Sequence, residues 1–264
     1  MADPIEQFVV KPIPGLEFGE VTVPFLGPQQ IAVTNSHVAM TIAFGLVVLF
    51  FMLSTSNARV VPGRLQATGE TLFGMIDGVT DSIIGHEGRK YFPFVFTLFS
   101  LVLGMNILGL FLTFTATSQL AVTITFAALT ILLVLGVGFA KHGIGFFKLF
   151  VPSGIPWPVL LLVVPIELVS FMLRPITLAL RLFGNMLGGH VALKIFAGFV
   201  VSLGAMAVAG EGLGLFAVPI AALSLGMVVA LTALEFLVAF LQAFVFAVLA
   251  TIYLNDVVNL GHAH

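Results

Sequence analysis

Apolar runs separated by short polar breaks dominate the chain, and their lengths set the elements. Val38 to Leu53 is the first run, with Asn35-Ser36 placed to cap a helix there. A membrane span needs about 20 residues, so this run with its margins predicts one transmembrane helix. Ser54 to Arg64 follows as a loop with Arg59, Pro62 and Arg64. Leu65 to Gly85 mixes Glu70, Asp77 and Asp81 with Leu72, Phe73, Met75, Ile76, Val79 and Ile83. That amphipathic pattern is too polar to span and predicts a helix lying in the interface. Tyr91 to Phe114 and Leu120 to Ala140 predict two further spans, parted by a polar break at Thr115 to Gln119. Lys141, His142 and Lys148 mark the next loop, where Pro152, Pro156 and Pro158 should interrupt regular structure.

The last third has another pattern. Val159 to Val201 is apolar but punctured by Glu167, Arg174, Arg181, Asn185, His190 and Lys194. Gly204 to Gly214, with Glu211, reads as a turn, and Leu215 to Leu254 is a second long run holding Glu235 and Gln242. Each run has roughly 40 residues, about 60 Å of helix, against a hydrocarbon core about 30 Å thick. A long, strongly tilted hairpin is the preferred geometry over kinked or broken helices. The expected fold is an all-α integral membrane protein: transmembrane helices, an interfacial amphipathic helix, and that C-terminal hairpin. Three regions follow: a polar N-terminal tail over 1–36, three spans with the interfacial helix over 37–158, and the hairpin over 159–264.

Composition agrees. The chain has 264 residues, of which 59% are hydrophobic and 8% charged, and its mean hydropathy is +1.18. Soluble domains carry roughly 25% charged residues, so the bilayer is the solvent that fits. The net charge of -2 points to neither nucleic acid nor an acidic substrate. With no cysteine, disulfides, thiolate catalysis and Cys-ligated zinc are excluded, and neither a metal site nor a cofactor is expected. Met1 to Glu20 sets Asp3, Glu6, Glu17 and Glu20 against Lys11 alone, which is unlike a signal peptide. Six of the ten basic residues (Arg59, Arg64, Arg89, Lys90, Lys141, Lys148) fall in loops that the span count places on one side. The positive-inside rule puts that side and the C-terminus in the cytoplasm, and the N-terminus outside.

A charge at a helix centre costs roughly 2.5 to 3.5 kcal/mol on insertion scales, so six polar residues in one apolar run need a reason. At 100° per residue Glu167, Arg174, Arg181 and Asn185 fall within about 40° of one another, with Ser170 and Gly188 extending the stripe. His190 and Lys194 fall on nearly the opposite face, toward a different neighbour. On the second run Glu235, Gln242 and Tyr253 share a face. In a hairpin, Glu235 approaches His190 and Gln242 approaches Arg181. An acid beside an imidazole makes a proton relay that works near neutrality. A guanidinium keeps its charge; it attracts a carboxylate and repels a passing cation. Simpler readings stand beside these. Arg174 can snorkel or pair with Glu167, Lys194 can snorkel, Tyr253 can belong to an interfacial belt, and Asn106 can be helix-helix glue rather than a channel residue. A lone His190 can equally be a packing residue. Arg181 resists such a reading, because no acid lies within a turn of it; its partner is expected on another helix or another chain.

The run Arg174-Pro-Ile-Thr-Leu-Ala-Leu-Arg181-Leu-Phe-Gly-Asn185-Met resembles the signature of the ATP synthase subunit a family, and Leu241-Gln242-Ala-Phe-Val-Phe-Ala-Val-Leu-Ala-Thr-Ile-Tyr253-Leu resembles that family's last helix. The resemblance covers essentially the whole chain, least the first 30 residues, and is closest to bacterial members. It implies that Arg181 matches the essential arginine, Asn185 the asparagine one turn later, Gln242 the glutamine of the last helix, and Glu167 an acid on the cytoplasmic side. Many bacterial members have an acid where this chain has His190 and a histidine where it has Glu235; the exchange, similar to mitochondrial relatives, keeps one acid and one imidazole. The implied function is a non-catalytic stator with two proton half-channels, without an ATP-hydrolysing site. The implied partners are a ring of c subunits, b-type peripheral stalk subunits and the rest of the complex, in the bacterial inner membrane. Two rivals remain open. An autonomous proton-coupled secondary transporter would show internal repeats, and none is apparent. A structural anchor would have no need of the charged stripe.

Overall fold

The computed structural model describes residues 9–23, 27–56, 58–111, 115–151, 156–209 and 217–260. The N-terminal segment corrects the expectation of a plain polar tail. Two strands, β1 (Pro12–Val23) and β2 (Gly27–Thr34), pair antiparallel from Val23 opposite Gly27 to Pro12 opposite Thr34. The β-branched residues Val21, Thr22, Val23, Ile31, Val33 and Thr34 favour this extended state, and the pattern was too short to stand out beside the acids. The register shifts where β1 carries Gly15 and Gly19, both at positive φ, as bulges require.

Helix α1 (Asn35–Ser56) begins directly after β2. Asn35 starts the helix, its Oδ1 accepting from Ser36 N–H, and ties it to the segment before β1. Its amide donates to the Val9 carbonyl, and its Oδ1 accepts from Lys11 N–H. The reach back to the helix start comes from His37, whose Nδ1 accepts from Thr34 N–H at 3.2 Å. Most of α1 is exposed along Phe44, Leu49, Met52 and Leu53, a surface suited to lipid. Helix α2 (Arg64–Ile84) is the amphipathic segment; Ile76 and Ile84 are buried while Glu70, Asp77 and Asp81 are exposed. It is not among the five helices long and apolar enough to cross a membrane.

Helix α3 (Phe92–Phe111) is the most enclosed span of the first half. A ladder of rings joins it to its neighbours: Phe51 of α1 lies 5.1 Å from Phe96, and Phe73 of α2 lies 4.7 Å from Phe92. A buried segment with a short 3-10 turn at Ala116–Ser118 leads to α4 (Leu120–His142), and a 3-10 stretch follows at Gly143–Phe150.

Two long continuous helices complete the chain: α5 (Trp157–Ala209), 53 residues, and α6 (Ala217–Val258), 42 residues. At about 80 Å and 63 Å, neither fits upright in a core about 30 Å thick. Pro158 does not interrupt structure as expected; it lies in the first turn of α5, where its missing N–H costs nothing. Pro165 and Pro175 lie inside the helix. The turn expected from Gly204 does not start there, because α5 continues to Ala209; Glu211 and the rest of that segment lie outside the described residues. Small residues are among those buried on both long helices. Ala239, Ala243 and Ala247 recur every four positions on α6 and are completely buried, as are Ala179, Leu182 and Met186 on α5. Small side chains let two backbones approach where lipid gives no hydrophobic drive between helices.

Candidate functional site

The antiparallel pairing of α5 and α6 places their polar residues in rungs. The first rung holds Arg174. Its guanidinium donates to Glu167 Oε1 at 3.4 Å and Asp256 Oδ2 at 3.3 Å, and lies 5.9 Å from the Tyr253 ring centroid. All three ionic side chains are about one-third exposed, so solvent screening keeps the pairing modest. Arg174 therefore pairs with Glu167 and also bridges to α6. Tyr253 is buried against it rather than lying in an interfacial belt. Asp256 is the member that sequence reasoning passed over. It follows Tyr253 by three residues, so extending the same helical face by one turn would have found it.

The next rung holds Asn185 and Gln242, with Asn185 Nδ2 donating to Gln242 Oε1 at 3.2 Å. Gln242 is 4% exposed. It approaches Asn185, not Arg181 as expected: among the described residues, no hydrogen bond or ion pair engages Arg181. One turn before Asn185, on the stripe that Arg174 and Asn185 share, Arg181 is exposed. A fixed cation in the middle of an apolar helix is thus exposed, near enough to the buried Tyr253 of α6 to act on it electrostatically.

The third rung holds His190 and Glu235, 8% and 5% exposed, with Nδ1 and Oε1 4.0 Å apart. That separation suits one bridging water. Among the described residues, both oxygens of Glu235 are buried without a hydrogen-bond partner, and a buried polar group left so calls for a functional explanation. A small cavity of about 190 Å³, lined by Asn185, Gly189, Leu231, Leu234 and Val238, adjoins the carboxylate. Gly189 makes this rung possible. A Cβ there would crowd the carboxylate and stand 2.8 Å from both Cδ and Cγ of Glu235, so glycine leaves the acid its place beside His190 without a shift. His190 does not face a separate neighbour from the stripe, as the helical wheel implied. Both meet α6, because the helices cross over the long seam. Lys194 is half-buried one turn further on.

His190 also meets the buried segment between α3 and α4, with Nε2 2.9 Å from Thr115 Oγ1. Near the start of α4, Gln119 lines a cavity of about 430 Å³ with Val10, Thr34, Ser36 and His37. The His190 rung therefore lies toward the end that carries the N-terminal hairpin. The Arg174 rung lies toward the opposite end, where His142 Nε2 meets the Val257 carbonyl, Asn259 donates to the Ile84 carbonyl, and Lys141 pairs with Glu87. Arg181 stands between the two. Asn106, buried in α3, donates from Nδ2 to the Ala239 carbonyl at 3.0 Å, which is the helix-joining bond expected of it.

Five candidate spans and a polar rung system on the last two helices define a polytopic membrane protein built around a charged helical hairpin. The family model for the ATP synthase A chain matches residues 37–255. The chain is 47% identical over 263 residues to ATP synthase subunit a of Rhodopseudomonas palustris (strain BisB18), covering 99% of this chain and 100% of that one. It is 48% identical to the subunit a of Nitrobacter winogradskyi over 263 residues, with the same coverage. Against that of Hyphomonas neptunium it is 46% identical over 258 residues, 97% of this chain and 96% of the relative. The chain belongs to the ATP synthase A chain family.

Proposed function

We propose that this chain is the proton-translocating stator of a rotary ATP synthase membrane sector, forming two half-channels against a ring of c subunits. The observation that carries this reading is Arg181: exposed, mid-helix, surrounded by apolar residues, and without a hydrogen-bonding or ionic partner among the described residues. An uncompensated cation in lipid is costly. A carboxylate supplied by a neighbouring subunit and passing across this face would balance it.

The three rungs then divide the work. A proton arrives from the outer side at His190 and Glu235, and neutralises a ring carboxylate. The neutral acid enters lipid at low cost, whereas the anion does not. On the other side, near Glu167, Arg174 and Asp256, the acid gives up its proton, and the anion is drawn to Arg181. The guanidinium keeps its charge throughout, so it blocks direct passage between the half-channels. Each charge crossing 100 mV supplies about 2.3 kcal/mol, so several must cross for each ATP made elsewhere in the complex. Peripheral stalk subunits of b type complete the expected partners.

For orientation, the basic residues support a cytoplasmic C-terminus and a periplasmic N-terminus. The close approach of Ile84, His142 and Val257 supports placing the end of α6 beside the basic loops. The test is Arg181→Ala in the assembled complex. Proton-coupled ATP synthesis in inverted vesicles should vanish while the subunit stays inserted, and normal synthesis would refute the reading.

A further inference from the structure

We infer that Thr115 is a positioning residue for proton transfer: its hydroxyl holds His190 as the Nε2–H tautomer, so that Nδ1, on the Glu235 side, is the nitrogen that exchanges protons. This inference rests on the relay reading of His190 and Glu235.

A threonine hydroxyl has one proton and two lone pairs. Thr115 Oγ1 lies 3.3 Å from the Gly109 carbonyl and 2.9 Å from His190 Nε2. Gly109 is among the last residues of α3, whose final carbonyls have no donor within the helix. That carbonyl can only accept, and the hydroxyl proton directed to it satisfies a helix end that would otherwise lack a donor. Oγ1 then offers a lone pair to the imidazole, and Nε2 must carry hydrogen. The site is built for this contact. Thr115 is 3% exposed, and a Cβ on Gly109 would stand 2.8 Å from Thr115 Oγ1 and 3.0 Å from its Cβ. Glycine at 109 is therefore what lets the hydroxyl sit against both partners.

The chemical consequence is directional. With Nε2–H fixed, the basic lone pair is on Nδ1, which faces Glu235 Oε1 at 4.0 Å. A proton leaving the Glu235 carboxyl for Nδ1, directly or through one water, breaks an O–H bond and forms an N–H bond, leaving carboxylate and imidazolium. The reverse transfer restores both groups, and Nε2–H stays bonded to Thr115 throughout. In the other tautomer the basic nitrogen would face a hydroxyl whose proton is committed elsewhere, and the ring would have to turn before each transfer. Among the described residues, the titratable or charged groups facing His190 are Glu235 of α6 and Lys194 on α5 itself; the Thr115–Gln119 segment brings hydroxyls and an amide.

The experiment measures ATP-driven proton pumping and passive proton conductance in vesicles, per assembled complex, across a range of pH. Thr115→Val keeps the shape and removes the hydroxyl; it should lower the rate roughly three- to tenfold, as loss of one hydrogen bond implies, and displace the pH profile. Thr115→Ser should restore most of the rate and the original profile. Thr115→Ala gives the same readout if the valine variant does not assemble. A wild-type rate and profile in the hydroxyl-free variant would overturn the inference, and so would equal losses in the serine and valine variants. His190→Ala in the same assay separates the two levels: if it pumps normally, the relay itself fails, whereas if it is inactive and Thr115→Val is normal, only the tautomer assignment fails.

Discussion

Gly189→Ala tests the third rung with a single methyl group. The added Cβ would lie 2.8 Å from Glu235 Cδ and Cγ, where nonbonded carbon atoms prefer about 3.5–4.0 Å. The carboxyl must therefore retreat by roughly 1 Å. Room exists for it, since the cavity of about 190 Å³ lined by Leu231, Leu234 and Val238 adjoins this side chain. The helices should stay packed, and the cost falls on geometry. Glu235 would move off the 4.0 Å separation from His190 Nδ1. A misplacement of about 1 Å can cost on the order of a hundredfold in a transfer step. The assay is ATP-driven acidification of inverted vesicles, with complex content measured on the same membranes. Pumping should fall by one to two orders of magnitude while assembly and ATP hydrolysis by the detached soluble sector persist. Wild-type pumping in Gly189→Ala would show that the contact between these two positions has no bearing on the proton path.

Two further outcomes follow from the same geometry. His190→Glu combined with Glu235→His keeps one acid and one imidazole across the rung, so the double variant should pump better than either single variant; a double variant no better than the singles would separate the two residues functionally. Asn106→Ala removes the bond to the Ala239 carbonyl, worth about 0.6–1 kcal/mol within a membrane. The α3–α6 packing should loosen, seen as a lower dissociation temperature of the subunit in detergent with proton pumping retained at low temperature.

The candidate spans and the polar residues of the last two helices were legible in the apolar runs and their interruptions. The reason is physical: about 20 consecutive apolar residues have no other solvent than lipid, and each ionic residue inside such a run must be compensated. Arg181, His190, Glu235 and Gln242 stood out on those grounds alone, as did the amphipathic α2. Local pattern did not reveal the β1–β2 hairpin, whose short β-branched runs lie beside glycines and acids. Nor did it reveal that α5 runs on past Gly204 to Ala209, since a single glycine costs a helix only about 1 kcal/mol.

Pairing across the seam was decided by tertiary structure. A helical wheel treats α5 as a straight isolated rod and so put His190 opposite the stripe, whereas the crossing with α6 brings both to one neighbour. The same packing gave Gln242 to Asn185, and no hydrogen bond or ion pair among the described residues engages Arg181. Asp256, Thr115 and Gly189 carry no signal of their own as residue types: an acid near a helix end, a threonine in a polar break, a glycine among many. They matter because chain segments distant in sequence converge on Arg174, His190 and Glu235, and only packing in three dimensions sets such distances.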